Sequence, residues 1–574
     1  MPAEPSQVVS LKTAALADMS ENERIKIESQ GLFFVADGKE THSFLDEVRK
    51  LDSGEEQSIS GTAKELSKFF GIYKQQGRGE RGRKTHDYFF MVRIKNPAGG
   101  KLSPKQWLAL DDAADQFADG TLRLTSRQAI QYHRVYGPKL APLMRHLNRH
   151  YREGATVSAC GDVNRNVMAS PIDELHPSCA PGGLALAQEI AAELTPRSSS
   201  YFQIFVSDDA GRNQAPVNVD EPVYGAQYLP RKFKIGIAHP RDGSVDVRTQ
   251  DIGLVPVDER GERWDLYTGG GLGMTHNNPR TAPLLGEHLG RIARGQVVAA
   301  CRAIVLIQKE NGERGDRKQA RWKYTLRRLG IAAVKQELRE RFGIAIEDVA
   351  PVRIADMQLH LGWHAQRGGR GYYGVSVENG RLKGAQRKAV REAVEKLGCS
   401  VVLTPQQDLL LCDAPDAASV ERILDAHGAR RTVSRVRANA MACPAKPTCG
   451  LAMTDAENIL PQYVDSIEAA GLGDVDVVIR MTGCPNNCAR PPSAEIGIFG
   501  YGKNDHVILV GGARNGERLA HTLYARIAGA QMVPALVGIL RAIRERGAGQ
   551  PAGDFLHRAD PAQLREWVGV ADGK

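Results

Sequence analysis

The 574-residue chain has no long hydrophobic run of the kind that spans a bilayer. Its most apolar stretch, Val297 to Ile307, is short and is broken by Arg302. The opening text, MPAEPSQVVSLKTAALADMSENER, lacks the charged-then-apolar order of a signal peptide, so a soluble, cytoplasmic protein is expected. Aromatic residues are scarce, at 6%, and no aromatic-rich RNA-binding word occurs. No nucleotide fingerprint occurs either. The segment GGGLGMTH (269–276) is not G-x-G-x-x-G after a strand, and it does not end in GKS or GKT. Binding of NADPH or flavin by this chain is therefore not expected. Nine cysteines, an odd number thinly spread, exclude a disulfide scaffold.

What is present is ordinary for a globular protein: 42% hydrophobic residues, 25% charged, 59 Gly and 29 Pro. The length suits about three or four folded units. The net charge of +9 is modest and mixed with acids. Nucleic-acid binding is one reading of it; positives gathered around an anionic cofactor or substrate is the other.

Residues 1–80 read as an extended or helical arm, with a polar connector at QQGRGERGRKT (75–85). A buried strand is expected from Tyr88 (YFFMVRIK), followed by a helix over Leu102–Phe117 with Ser103 as N-cap and Pro104 just inside. A strand over Thr121–Arg127 comes next. The pattern recurs late, in YYGVSVENGRL from Tyr372, a helix near Ala385–Leu397, and CSVVLTPQQDLLL. Leu102 to Leu124 spans 22 residues and Leu382 to Leu403 spans 21, which points to an internal duplication. Two related copies would leave a cleft between them, a common seat for a large cofactor. Arg127 has Gln406 as its counterpart. Between the copies, strands are expected at 201–209 and 233–240, and helices at Arg280–Leu289 and Ile331–Arg341. The mixture reads as α/β or α+β.

The densest signal is the cysteine set. Cys443 and Cys449 form C-x5-C; after a gap of 34 residues, Cys484 and Cys488 form C-x3-C. Four thiolates suit zinc or an iron–sulfur cluster. Loops this wide, stiffened by Pro444, Pro447 and Pro485, suit the larger object better than the C-x2-C knuckles of zinc ribbons. A zinc-stabilised nucleic-acid-binding protein stays open on spacing alone.

The words around these cysteines, ACPAKPTCGLAMTDA (442–456) and TGCPNNCAR (482–490), resemble the signature of the siroheme- and iron–sulfur-containing sulfite and nitrite reductases. LRLTSRQAIQYH (122–133), GDVNRNV (161–167), YLPRKFKIGI (228–237), GGGLGMTH and DRKQARWKYT (316–325) resemble further segments of that family, in its order. Within it, the chain is most similar to the hemoprotein (β) subunits of sulfite reductases. The resemblance covers roughly 80–565 and implies a pseudo-twofold duplicated fold, with ferredoxin-like half-domains and siroheme in the central cleft. The implied division is an arm at 1–80, a half-domain at 81–155, a siroheme and substrate domain at 156–354, a second half-domain at 355–430, and a cluster and siroheme domain at 431–574.

By the same resemblance, Cys443, Cys449, Cys484 and Cys488 hold a 4Fe-4S cluster, and Cys488 also ligates the siroheme iron. Siroheme carries many carboxylates, which arginine forks match. The expected cofactor contacts are Arg123, Arg127, Gln131, His133, Arg317, Arg321, Asn487 and Cys488. Arg123 and Arg127 are expected to share one strand face. His133 could equally be a packed core histidine. Substrate cations implied by the family are Arg93, Arg165, Lys232 and Lys234. Lys234 favours sulfite, because nitrite reductases tend to place Asn there. Some members carry a Tyr–Cys link near the site, and Tyr73 and Cys160 sit in plausible segments for one. The chain departs from the family's usual text at QGLFFVADGKETHSF (30–44), which lacks a Leu-Arg-Gly word. It departs again at Pro492-Ser493, where an aromatic and an aliphatic residue are common. The implied activity is six-electron reduction of sulfite to sulfide, fed by an NADPH-dependent flavoprotein or a ferredoxin, with nitrite reduction as the alternative. The lack of a C-x2-C-x2-C run favours an assimilatory enzyme.

Overall fold

The computed structural model describes residues 33–36, 40–78, 84–177, 179, 182–197, 201, 204–206, 221–225, 228–258 and 260–571. No helix among them is long and apolar enough to cross a membrane.

The strand expected from Tyr88 begins earlier and spans Lys84–Arg93. It pairs antiparallel with Ile72–Arg78 on one side and Ile130–Val135 on the other. The region before residue 80 therefore supplies an edge strand to this sheet, preceded by helices Phe44–Ser53 and Gly61–Ser67. Its first 32 positions lie outside the described residues. Helix Pro104–Phe117 starts as its sequence predicts. The Ser103 hydroxyl accepts from Gln106 N, and the Gln106 side chain accepts from Ser103 N, a reciprocal capping box.

The strand expected over Thr121–Arg127 is shorter, Leu122–Leu124. A turn follows, closed by Gln128 N donating to Thr125 O at 2.9 Å, with Gln128 at φ 55°. Arg127 thus leaves the pleat, and the expectation that it shares a strand face with Arg123 fails. The segment expected as a strand at 201–209 is helical at Tyr201, Ile204 and Phe205; Phe205 packs on Phe44 and Phe70, and Tyr201 on Phe70. Residues 202–203 and 207–209 lie outside the described set. The helix expected over Arg280–Leu289 is also absent. Pro279 and Pro283 interrupt any helical ladder there, and the chain instead bridges Leu284 to Gly271 before strand Glu287–Ala293. The helix expected from Ile331 is present as Ile331–Glu340.

The second half-domain repeats the first, with strands Gly371–Val375, Ser400–Leu403 and Leu409–Ala414 and helix Gly384–Leu397. The two copies are interlocked. Leu382 of the second copy pairs with Leu122 of the first. In return, Leu102 of the first exchanges hydrogen bonds with Val401 of the second, at 2.8 and 2.9 Å. Gly99 and Gly380, at φ 76° and 72°, make this crossing possible. A Cβ on Gly99 would overlap the Leu403 carbonyl oxygen, and one on Gly380 would overlap that of Leu124.

The duplication extends further than the sequence indicates. Five strands run Met168–Ala169, Ile235–Ile237, Ile252–Pro256, Arg263–Thr268 and Glu287–Ala293 in that spatial order, the first three parallel and the last two antiparallel. Ala440–Ala442, Ile479–Thr482, Ile496–Gly500, Asp505–Val510 and His521–Ala528 repeat that order and those directions. Each sheet is followed by a single 3-10 turn and a helix of 15 residues, Val297–Asn311 and Met532–Arg546.

One apolar core runs from Phe44 to Ala429, and a separate one fills Val436 to Val570. Buried ion pairs join them. Glu457 accepts from Arg381 Nε at 2.6 Å and stands 3.6 Å from Arg123. Asp246 takes Arg480 and Arg490.

Gly99→Ala and Gly380→Ala are each expected to destabilise the protein by about 2 kcal/mol or more, because a left-handed backbone and a blocked close approach coincide. Denaturant unfolding of the two variants checks this, and similar losses are expected from both.

Candidate functional site

The site is built first by cross-strand register. Arg93, Gln131, Arg123 and Arg381 are direct partners on four neighbouring strands, so their side chains form one row on one face. Like charges in such a row need spacers. Gln131 lies 2.8 Å from Arg93 Nε and 3.1 Å from His133 Nε2. Glu457 serves Arg123 and Arg381. Arg381 Nη2 stands 3.3 Å from His133 Nδ1. Burial, then Arg381, Arg123 and Arg93, hold His133 well below the usual imidazole range, so this ring is neutral.

Arg123 has no exposed surface. Its Nη2 donates to the Ala442 carbonyl at 2.7 Å, one residue before Cys443. Arg127 reaches from its turn to Gln250 Oε1 at 2.8 Å and the Asn166 carbonyl at 2.6 Å. Arg321 Nη2 donates to both carboxylate oxygens of Asp251, at 3.0 and 3.1 Å. Arg317 is engaged by Asp162 at 2.9 Å. Buried Lys323 donates into the glycine-rich segment, to Gly271 O at 2.9 Å and Gly273 O at 3.0 Å.

Lys232 and Lys234 flank buried Phe233, whose N–H donates to Val163 O at 3.0 Å and whose carbonyl accepts from Arg165 N at 2.9 Å. Extended backbone on both sides of Phe233 directs the two lysines away from the core, as their alternation implies. Both are held well below the usual lysine range. For Lys232 the causes are burial, then Arg231, Lys234, Arg165 and Arg321. For Lys234 they are burial, then Arg127 and Arg321, opposed by Cys488 and Asp251. Arg165 Nε and Nη2 donate to Gly161 O at 3.3 and 3.2 Å, and Arg93 Nη1 donates to Cys160 Sγ at 2.9 Å. Burial, then the neighbouring Cys160, raise the Tyr73 hydroxyl above the usual tyrosine range.

The cysteines sit at the ends of parallel strands. Cys443 follows Ala440–Ala442, and Cys484 lies just beyond the neighbouring strand Ile479–Thr482. Burial and the adjacent thiols push Cys443 well up and Cys484 up to about 11. Thiols so close cannot all ionise without added positive charge. Among the described residues, no three His, Cys, Asp or Glu side chains form a ready single-ion site. Cys488 is exposed, and its carbonyl accepts from Ser126 Oγ at 2.9 Å. Asn487 Nδ2 donates to Leu272 O at 2.8 Å.

Sequence reasoning missed the acids. Asp251, Asp162, Asp246 and Glu457 hold the arginines in place, yet each reads in sequence like any other acid. The only hint is Asp251, which stands directly before the apolar strand Ile252–Pro256.

A family model described as the nitrite and sulphite reductase 4Fe-4S domain matches residues 160–346. The nitrite/sulfite reductase ferredoxin-like half domain matches 81–150 and 364–427. The Chromohalobacter salexigens protein named sulfite reductase (NADPH) hemoprotein beta-component is 37% identical, covering 96% of this chain and 97% of its own. The Synechococcus elongatus sulfite reductase (ferredoxin) is 36% identical, over 97% of this chain and 92% of its own. Among solved structures, the Mycobacterium tuberculosis NirA protein matches with a TM-score of 0.74, over 91% of this chain and 96% of its own. At 23% identity that likeness speaks for the fold.

The chain belongs to the nitrite and sulfite reductase family. It is an oxidoreductase, and its relatives of high coverage include sulfite reductase hemoprotein beta-components; its cofactors are siroheme and a 4Fe-4S cluster. The arginines fit a ligand rich in carboxylates: Arg123 Nε and Nη1, Arg127 Nε and Arg321 Nε are buried donors without hydrogen-bond partners.

Serine at Cys443, Cys449, Cys484 or Cys488 is expected to remove the cluster iron, whereas serine at buried Cys301 or Cys412 leaves it in place. Iron and sulfide analysis of the purified variants checks this.

Proposed function

We propose that the chain reduces sulfite to sulfide, a six-electron reaction, with Cys488 as the thiolate shared by the cluster and the siroheme iron. Electrons come from a separate donor protein. The observation that carries the reading is a group of cations only partly neutralised, Arg127, Arg165, Lys232, Lys234 and Arg321 against Asp251 and Asp162, with Lys234 near enough to Cys488 to feel its thiol. Such a surface binds an oxyanion strongly. When bound, siroheme supplies the iron and the electron route that no side chain can supply.

The protein's share is to hold the oxygens and deliver protons. Arg93 and Arg165 are positioned guanidiniums, Arg93 held by Cys160 and Arg165 by the Gly161 carbonyl. Lys232 and Lys234 carry protons that burial and neighbouring charge make easy to release. Each oxygen leaving as water needs such protons, and the positive charge stabilises it as it departs. Lys234, rather than Asn, favours sulfite over nitrite. The names of the relatives include both NADPH and ferredoxin forms at nearly equal identity, so either type of donor is compatible with this chain.

Turnover with a reduced viologen dye bypasses the donor. The expected result is a higher kcat/KM for sulfite than for nitrite, with sulfide as product; a preference for nitrite would overturn the substrate assignment. Lys234→Ala is expected to lower kcat/KM for sulfite by about 100-fold. The lysines lose their charge as pH rises through their lowered pKa values. An alkaline fall in kcat/KM is therefore expected well below the ordinary lysine value of about 10.4, measured as a pH–rate profile.

A further inference from the structure

We propose that Asp246 is the positioning residue for the Cys488 loop, acting through Arg490. The inference rests on the reading of Cys488 as the shared ligand.

Asn487 and Arg490, on either side of Cys488, have φ of 55° and 63°, and Asp246 has φ of 49°. Residues other than glycine stay in this region only where their surroundings impose it. Those surroundings are explicit at Arg490. Its Nη1 donates to Ser244 O at 3.0 Å and its Nη2 to Pro405 O at 2.8 Å. Its Nη1 also stands 3.2 Å from Asp246 Oδ2. That one oxygen accepts from Ser493 Oγ at 2.8 Å and from Arg480 Nη1. Arg480 lies on strand Ile479–Thr482, which leads into Cys484. A single carboxylate thus ties the strand before Cys484 to the turn after Cys488.

The tie is dry. Asp246 has no exposed surface, and Arg480 and Arg490 are buried. Two guanidiniums out of water need this charge, so removing it leaves both uncompensated. Asp246 lies more than 230 residues before Arg480 and on the other five-stranded sheet domain. Ser493, which departs from the family's usual aliphatic residue, completes the set with its hydroxyl. The Asp246 carboxylate is taken up by Arg480, Arg490 and Ser493, and none of its ion pairs runs to Arg93, Arg165, Lys232 or Lys234 among the described residues. Its effect should therefore fall on the cofactor ligand and spare substrate affinity.

The test uses holoprotein: wild type, Asp246→Asn, Arg490→Lys, the double variant, and the milder Ser493→Ala. Iron and siroheme contents are measured first, and electron paramagnetic resonance then reads the magnetic coupling between cluster and siroheme. Coupling absent from the wild type would refute the shared-ligand reading itself, whatever Asp246 does. With coupling present in the wild type, Asp246→Asn and Arg490→Lys are expected to weaken it and to lower kcat at least 10-fold, with KM for sulfite within about 2-fold. The double variant should be no worse than either single one, since both cut the same tie. Ser493→Ala should shift the same signals in the same direction by less, and it decides the matter should Asp246→Asn fail to fold. Variants with wild-type coupling and kcat, even if less stable, would overturn the proposal. So would additive losses in the double variant.

Discussion

An arginine can leave water only against something that replaces the water. Much of this molecule follows from where that replacement is complete and where it is not. At the joint between the two apolar cores each buried charge meets an opposite one: Arg381 has Glu457, and Arg480 and Arg490 share Asp246, although the Nε of each of those two arginines has no partner. In the cleft it is partial. Arg321 has Asp251, but Arg127 ends on a side-chain amide and backbone carbonyls, and its Nε has no partner. Lys232 and Lys234 face more cations than acids. The joint's charges are thus matched by the chain's own acids, while the cleft keeps a surplus of positive charge.

The duplication explains how the cleft comes to exist and why only part of it is charged. Each half-domain lends a short strand or bridge to the other, Leu382 to Leu122 and Leu102 to Val401, so the halves cannot separate without losing backbone pairs. The equivalent turns then diverge. Arg127 reaches toward Gln250, while its counterpart Gln406 donates to the Ser244 carbonyl, which Arg490 also uses. One copy's turn serves the charged cleft and the other steadies the loop after Cys488. Symmetry supplies the scaffold, and the chemistry sits at the positions that broke it.

What could be read from the sequence was local or repeated. The helix after Ser103 was legible because its cap, its proline and its apolar spacing agree. The half-domain repeat was legible because Leu102, Leu124, Leu382 and Leu403 keep nearly equal spacings, and Leu102 and Leu382 are residues through which the two copies pair. The paired five-stranded sheets were not, because only their strand order and directions persist. The strand through Arg127 was misjudged because Leu-Thr-Ser continues a strand pattern, although Gln128 turns the chain at φ 55°. The apolar text of 201–209 suggested a strand because helical spacing at Tyr201, Ile204 and Phe205 also passes as an apolar run. The acids escaped notice because a carboxylate gains its meaning from a partner hundreds of residues away, as Asp246 does from Arg480.

The same separation says something about assembly. The cysteines come late in the chain and the cations early, yet they meet in a single loop. Ser126 of the first half-domain holds the Cys488 carbonyl, and Leu272 of the middle domain holds Asn487. Pro405 of the second half-domain holds Arg490. Three units therefore converge on seven residues, Cys484 to Arg490, and none of them alone fixes that loop. Ligands that bind only the assembled arrangement stabilise it by mass action. The cofactors should accordingly act as clamps between domains as well as reagents.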